Sequence, residues 1–157
     1  MNNTKQCSKE ESENCIEVCN ELLRGEISAV DTYEQAIAKF KGQGEEVELR
    51  KIRDDHSHSI TILTQNVIGM GGFPSTDAGT WGLLTKAVEA GANLLGEGAS
   101  ISTLLQGEEY GLKQYESALS NEDVLENCKE IIRYKLIPKQ LEHISILEGI
   151  NRSISNK

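Results

Sequence analysis

The stretch "LLRGEISAVDTYEQAI", residues 22–37, reads as an amphipathic helix whose apolar face carries a carboxylate. Its apolar residues recur at intervals of three and four, which is the spacing of one face of an α-helix. Glu26 falls in the middle of that face, and Tyr33 follows on the same side two turns later. A buried carboxylate is costly unless it is paired, hydrogen-bonded, protonated or bound to a cation. Partners for Glu26 are therefore expected elsewhere in the chain.

Residues 104–119, "LLQGEEYGLKQYESAL", repeat this pattern. At a constant offset of 82 positions, seven of sixteen residues are identical, including the pairs Glu26/Glu108 and Tyr33/Tyr115. Glu108 again interrupts an apolar stripe. The repeat predicts that the two segments are the same helical element used twice, with two carboxylates turned toward one core.

The remaining pattern predicts an all-α chain, because spacing of three and four dominates and only two prolines occur. Residues 1–8 are predicted to be a disordered tail and residues 9–157 a single domain. Four long helices are predicted at about 8–40, 45–70, 100–119 and 124–150, with a short extra helix at 81–95. Ser8 and Glu11 match a capping box, and Pro138 is expected to kink or split the last helix near Ile137. The short first and last turns and the long middle crossover predict an antiparallel four-helix bundle of ferritin-like topology.

The second and fourth predicted helices supply candidate partners for the two glutamates. His56 lies at the centre of one apolar stripe and His143 at the centre of the other. Each helix thus places one metal-ligating residue type on its buried face: Glu26, His56, Glu108 and His143. Two carboxylates and two imidazoles suit iron, manganese or zinc and roughly neutralise a divalent cation. His58, two residues after His56, is expected on the outer face.

The formal net charge of −9 argues against nucleic-acid binding and against anionic membrane surfaces. No apolar run reaches transmembrane length and the N-terminal segment is polar, so the sequence predicts a cytoplasmic protein. Its four cysteines include no CxxC pair, and Cys15 and Cys19 would share a helix face. Reduced, buried or half-buried thiols are expected, with a metal or redox role as the alternative.

Several segments resemble the ferritin-like superfamily. The Glu-x6-Tyr pattern of the first and third helices is similar to that of ferritins, bacterioferritins and rubrerythrins, and "CNELLRGEISAVDTYEQAI" resembles a bacterioferritin first helix. A more specific resemblance, over about residues 20–150, is to a bacterial ferritin-like bundle family of unknown function. The segments that carry it are "IRDDH", "GGFPSTDAGTWG", "KAVEAGANLLG", "GEEYGLKQYESAL" and "LIPKQLEHI". The resemblance implies a ferritin-like fold and a metal site, but no biochemical role.

The chain departs from the ferritin-like di-iron pattern, in which Glu-x-x-His stands on the second and fourth helices. Arg53 and Gln140 occupy the positions three before His56 and His143. Asp55 and His58 keep the spacing, but periodicity places them off the buried face. One ion is therefore expected rather than two, with Arg53, Tyr33, Tyr115 and Gln140 around it.

Several questions about function stay open at this point. Iron or manganese would bring redox or oxidative-stress chemistry, and the sequence does not decide whether the protein is an enzyme. The alternative is a metal-free structural or interaction bundle in which Arg53 and the histidines neutralise the glutamates. A dimer or larger homo-oligomer is a further open expectation.

Overall fold

The computed structural model describes residues 8–157, with backbone only for residues 81–95. Its helices are α1 (Lys9–Lys39), α2 (Glu45–Gly69), α3 (Trp81–Ser120), α4 (Glu126–Ile131) and α5 (Ile137–Ser155), with a π-helical turn (Ile132–Leu136) between α4 and α5. The described residues form no strand, so the predicted all-α class is confirmed. Most of the predicted tail, residues 1–7, lies outside the described residues, whereas Ser8 is the N-cap of the first helix.

The first helix begins at the predicted capping box. The Glu11 backbone N–H donates to the Ser8 hydroxyl at 3.1 Å, and the Ser8 backbone N–H donates to the Glu11 carboxylate at 3.1 Å. These two bonds satisfy backbone donors that a helix start would otherwise leave unpaired. Two residues that are close in sequence therefore determine where the first helix begins.

Helix α3 is interrupted at Gly96, where φ is 83° and ψ is −168°. Residues other than glycine rarely adopt such a positive φ. A glycine is therefore needed where the crossover helix meets the long helix that follows. This break confirms the predicted division between residues 81–95 and the third long helix.

Pro138 lies in the first turn of α5, directly after the π-helical turn. Proline has no backbone N–H and its ring collides with the carbonyl of the preceding helical turn, so a regular α-helix cannot continue through it. The wider π-helical turn relieves this conflict. The prediction that Pro138 splits the last helix near Ile137 is thus confirmed.

The core consists of two apolar clusters. The first includes residues 15–23 of α1, 63–67 of α2, 115–118 of α3 and 128–136 of α4 and the π-helical turn. The second includes residues 33–40, 49–52, 101–104 and 147–150 of the four long helical segments. Sequence order between the clusters gives the directions: α1 and the α4–α5 segment run from the first to the second, whereas α2 and α3 run from the second to the first. All helix pairs that pack side by side are therefore antiparallel.

The crossover is required because α2 and α3 run in the same direction. Residues 70–96 return the chain to the end of the bundle where α2 began. Asn20 on α1 fixes the start of this segment, since its side chain donates to the Phe73 carbonyl at 3.1 Å and accepts from the Ser75 N–H at 2.9 Å. Among the described residues, none of the helices combines the length and the apolar character that a membrane span requires.

Candidate metal centre

A polar layer separates the two apolar clusters, and it contains the four predicted side chains. Glu26 lies on α1, His56 on α2, Glu108 on α3 and His143 on α5. All four are buried, with at most 6% of the residue surface exposed. On each helix the polar residue lies on the face toward the core, and the four residues lie at the same level of the bundle. The structure therefore brings together the four residues on which the sequence prediction depends.

His56 joins the two glutamates through opposite sides of its ring. Its Nδ1 atom lies 2.6 Å from Glu26 Oε2, and its Nε2 atom lies 2.9 Å from Glu108 Oε1. A carboxylate accepts hydrogen bonds and does not donate them. When it carries both ring protons, His56 thus donates to both helices of the sequence repeat at once.

His143 has one well-placed partner and one open nitrogen. Its Nε2 atom lies 3.1 Å from Asp55 Oδ2, so this nitrogen carries the ring proton and donates to the carboxylate. In a neutral imidazole the other nitrogen, Nδ1, is then an acceptor, and it faces Glu108 Oε2 at 3.5 Å. Among the described residues, neither of these two buried atoms has a hydrogen-bond partner. With His143 neutral, two acceptors thus face each other, whereas a proton on Nδ1 would let His143 donate to Glu108.

Asp55 is the residue that the sequence interpretation placed wrongly. Periodicity assigned it to the outer side of α2, together with His58, but its carboxylate reaches His143 on α5 and is only 22% exposed. The physical reason is that α5 packs beside α2, so a residue at the edge of the stripe can reach across the interface. The signal that could have found Asp55 is its position next to His56, within the wide face that a bundle helix buries.

Tyr33 and Tyr115 each form a hydrogen bond with the glutamate on the other's helix. The Tyr33 hydroxyl of α1 donates to Glu108 Oε1 of α3 at 2.5 Å, and the Tyr115 hydroxyl of α3 donates to Glu26 Oε1 of α1. Each glutamate is therefore bonded by the tyrosine of the other helix and by His56. Burial and the nearby carboxylates raise the pKa of both tyrosines well above 10, so both remain donors.

The positive charge of His56 offsets part of the negative charge of Glu26 and Glu108. Burial lowers the pKa of His56, but the charges of Glu108 and Glu26 outweigh burial and raise this pKa well above its ordinary value of 6.5. Burial likewise raises the pKa of Glu108, while the charge of His56 and the contacts with both histidines bring it down to about 2. Glu108 is therefore an anion throughout the physiological range.

Gln140 holds the backbone near the centre and does not contact its carboxylates. Its Nε2 atom donates to the Glu108 carbonyl at 2.9 Å, and Gly111 makes room for this amide. A Cβ added at Gly111 would lie 2.8 Å from the Gln140 Nε2 atom. Gln140 is expected from the sequence to lie around the site. It instead links α5 to the main chain of α3.

Arg53 is directed away from the buried glutamates. Its guanidinium pairs with Glu34 at 2.8 Å and with Asp54 at 2.7 Å, at the edge of the bundle. The predicted pairing of Arg53 with Glu26 and Glu108 is therefore corrected. The reason is that Glu34, on the neighbouring helix, offers a half-exposed carboxylate as partner. His58 is exposed, as expected.

A partly enclosed cavity of about 80 Å³ lies between α1 and α3 and reaches the buried centre. Glu26, His56 and Glu108 form its inner end, and glycines 25, 107 and 111 line its helical walls. A Cβ at Gly107 would meet nothing within 4 Å, so the wall is open there, whereas the Gln140 amide fills the space beside Gly111. The cavity is large enough for water or another small ligand beside the carboxylates.

Within the described part of the chain, His56, Glu108 and His143 form a group of potential metal ligands whose ligand atoms all lie within 4.8 Å of one another. Glu26 lies on the other side of the His56 ring, against Nδ1. Two imidazoles and one carboxylate around unpartnered acceptor atoms form a chemically suitable pocket for a divalent cation. Comparison with protein families, with curated proteins and with solved structures finds no match to this chain.

Proposed function

We propose that this protein binds one divalent transition-metal ion through His56, Glu108 and His143. The observation that carries this proposal is the pair of unpartnered acceptors, Glu108 Oε2 and His143 Nδ1, which face each other at 3.5 Å. Two acceptors that face each other in a buried layer repel unless a proton or a cation lies between them. A metal ion bound there would satisfy both atoms, and His56 Nε2 would release its proton and exchange its contact with Glu108 Oε1 for the ion.

The ligand types suit Fe²⁺, Mn²⁺ and Zn²⁺, and we propose Fe²⁺ as the bound ion. A set of two histidines and one carboxylate with open positions is typical of non-haem iron sites. The proposal of iron also agrees with the resemblance to ferritin-like proteins, which is itself part of the proposal. Bound Fe²⁺ would supply redox and Lewis-acid chemistry, and the cavity between α1 and α3 would admit a small reactant.

Glu26 and Asp55 hold the imidazoles in this arrangement. Glu26 Oε2 lies at 2.6 Å from Nδ1 of His56, and Asp55 Oδ2 at 3.1 Å from Nε2 of His143. In each case the carboxylate fixes one ring nitrogen so that the other faces Glu108. Metal-binding histidines commonly have such a carboxylate partner, which sets the tautomer and raises the basicity of the ligand. Glu26 is thus proposed as a positioning residue and not as a ligand.

A second candidate function is a metal-free ion network that specifies the packing of the helices. The observation in its favour is that protonated His56 already bridges Glu26 and Glu108, with short contacts to both. Its pKa, raised by the two carboxylates, keeps it charged at neutral pH. Such a network can fix helix order, since a wrong register would leave charges buried and unpaired. In this candidate a second proton on His143 pairs its Nδ1 atom with Glu108 Oε2, at the place where the metal proposal puts the ion.

Metal content of the full chain separates the two candidates. Apoprotein prepared with chelator is loaded anaerobically with Fe²⁺, desalted and submitted to elemental analysis, with Mn²⁺ and Zn²⁺ in parallel. The proposal expects one bound equivalent of iron, lost in His143→Ala and retained in His58→Ala, whose histidine is exposed on the same helix as His56. Protein that stays metal-free after all three loadings would leave the ion network as the function of this layer.

The proposal also includes the cellular compartment and the absence of a nucleic-acid partner. The absence of a membrane-spanning helix among the described residues and the net charge of −9 support a protein that works in an aqueous compartment without nucleic acid. We place it in the cytoplasm on the same argument. Oxygen uptake during Fe²⁺ addition is the measurement that decides whether the bound ion reacts.

A further inference from the structure

A second group of potential ligands lies in the first apolar cluster. Cys15 and Cys19 are four residues apart on α1, so they share a face, and Cys128 of α4 packs against both. The three sulfur atoms lie within 4.8 Å of one another, and the Sγ atoms of Cys19 and Cys128 are 2.9 Å apart. All three residues are fully buried and unoxidised.

The surroundings of this cysteine cluster differ from those of ordinary core thiols. A buried free cysteine usually behaves as a small apolar side chain that needs no polar partner. Here N–H donors are directed at all three sulfurs: the Asn66 amide toward Cys128 at 3.2 Å and toward Cys19 at 3.5 Å, and the Leu125 backbone N–H toward Cys15 at 3.4 Å. Such donors stabilise negative charge on sulfur, which is the form that binds a metal.

We propose that Cys15, Cys19 and Cys128 bind one Cu⁺ ion as a three-sulfur site. Thiolates are soft ligands that select Cu⁺, Zn²⁺ or iron–sulfur clusters. Structural Zn²⁺ takes four ligands, and among the described residues no histidine or carboxylate joins the three sulfurs. Each thiol that bonds to the ion releases its proton to solvent, and neither copper nor sulfur changes oxidation state.

The cysteine cluster is separate from the histidine–carboxylate centre. Cys19 and Glu26 are seven residues apart on α1, which corresponds to about 10 Å along the helix axis. Leu22 and Leu23 lie between them in the apolar cluster. One helix would thus serve two sites of opposite ligand softness, a nitrogen–oxygen site and a sulfur site. The copper site stands independently of the iron proposal, because the two share no ligand.

The full chain can be tested by anaerobic titration with Cu⁺ held in a competing colorimetric chelator. The proposal expects one equivalent of Cu⁺ to be withdrawn from the chelator and the melting temperature to rise, since an ion that binds only the folded state stabilises it. Cu⁺ should also protect Cys15, Cys19 and Cys128 from alkylation in partly denatured protein. Equal alkylation of these three cysteines with and without Cu⁺ would overturn the proposal, even if no variant folds.

Variants then locate the site. Cys15→Ser, Cys19→Ser and Cys128→Ser should each weaken Cu⁺ binding at least about tenfold, because even the outer partners of a metal ligand contribute that much. His58→Ala, at an exposed position, is the matched control and should bind Cu⁺ like the unchanged chain, while His143→Ala tests the other centre. Copper retention in all three cluster variants, or a Cys19–Cys128 disulfide that persists in reductant, would contradict the assignment. Loss of copper in His143→Ala would show that Cu⁺ binds at the histidine–carboxylate centre instead.

Discussion

Glu108 Oε2 and His143 Nδ1 lie 3.5 Å apart in the buried layer, and among the described residues neither atom has a hydrogen-bond partner. The other oxygen of Glu108 is bonded by Tyr33 and His56, and the other nitrogen of His143 is bonded to Asp55. Each side chain is therefore held by hydrogen bonds through one polar atom, while its other polar atom faces the other side chain. This arrangement makes Glu108 the most informative position for substitution.

Glu108→Gln should abolish stoichiometric binding of Fe²⁺. An amide keeps the size of the side chain but removes the charge that a divalent ion needs. Glu109→Gln changes the same residue type one position later, where the side chain is exposed, and should bind like the unchanged chain. Elemental analysis after anaerobic loading gives the comparison. Equal iron content in the two variants would exclude Glu108 as a ligand.

Asp55→Asn and Glu26→Gln should weaken metal binding without changing its stoichiometry. Each residue fixes the far nitrogen of one imidazole, and partners of this kind contribute about 10–100-fold to metal affinity. Asp54→Asn, at an exposed neighbouring position, is the control. Competition against a chelator of known affinity measures the effect. If Glu26→Gln instead removes the metal completely, Glu26 is a ligand and the four-ligand site of the sequence prediction is restored.

The stability of the metal-free protein should depend on pH through both Glu108 and His56. The pKa of Glu108 falls from 4.5 to about 2 on folding, so its contribution is full above pH 4.5 and is lost as the pH falls toward 2. The pKa of His56 rises above 6.5, so its contribution is full below pH 6.5 and is lost as the pH rises through the folded value. These two groups together favour maximal stability between pH 4.5 and 6.5.

Urea denaturation in the presence of chelator, repeated across the pH range, measures this dependence. In Glu108→Gln the decline on the acid side should become shallower, because the variant side chain does not titrate. An acid limb identical to that of the unchanged chain would show that other carboxylates dominate acid unfolding.

Tyr33→Phe and Tyr115→Phe should each lower the free energy of unfolding by about 2 kcal/mol, the range for a hydrogen bond to a charged group. The two losses should be similar, because each tyrosine bonds the glutamate of the other repeat helix. Tyr134→Phe is the control, since Tyr134 is exposed. Chemical denaturation of the three variants is the measurement. A large difference between Tyr33→Phe and Tyr115→Phe would argue against equivalent roles for the two repeats.

Gly107→Ala and Gly111→Ala form a matched pair one helical turn apart. A Cβ at Gly107 meets nothing within 4 Å, so this change should stabilise the protein by about 0.5–1 kcal/mol through helix propensity. A Cβ at Gly111 would displace the Gln140 amide from the Glu108 carbonyl and should cancel or reverse that gain. Equal stabilisation by both changes, measured by thermal or urea unfolding, would mean that the Gln140 link is dispensable.

Much of the architecture could be predicted from local signals. The capping box at Ser8, the glycine break at Gly96 and the proline split at Pro138 each depend on residues close in sequence, and the structure has all three. Periodicity likewise brought Glu26, His56, Glu108 and His143 to one buried level, because a helix of known repeat fixes which residues share a face.

The sequence by itself determined the helices, their breaks and the polar position on each apolar stripe. Only the tertiary structure decided which atoms meet: the hydrogen bonds of Tyr33 and Tyr115 to the glutamates on each other's helix, and the reach of Asp55 to His143. Tertiary packing also decides that Arg53 pairs with Glu34 and that Cys128 lies beside Cys15 and Cys19. The physical reason is that periodicity fixes the face of a helix, whereas rotamers and contacts depend on neighbouring helices that are distant in the chain.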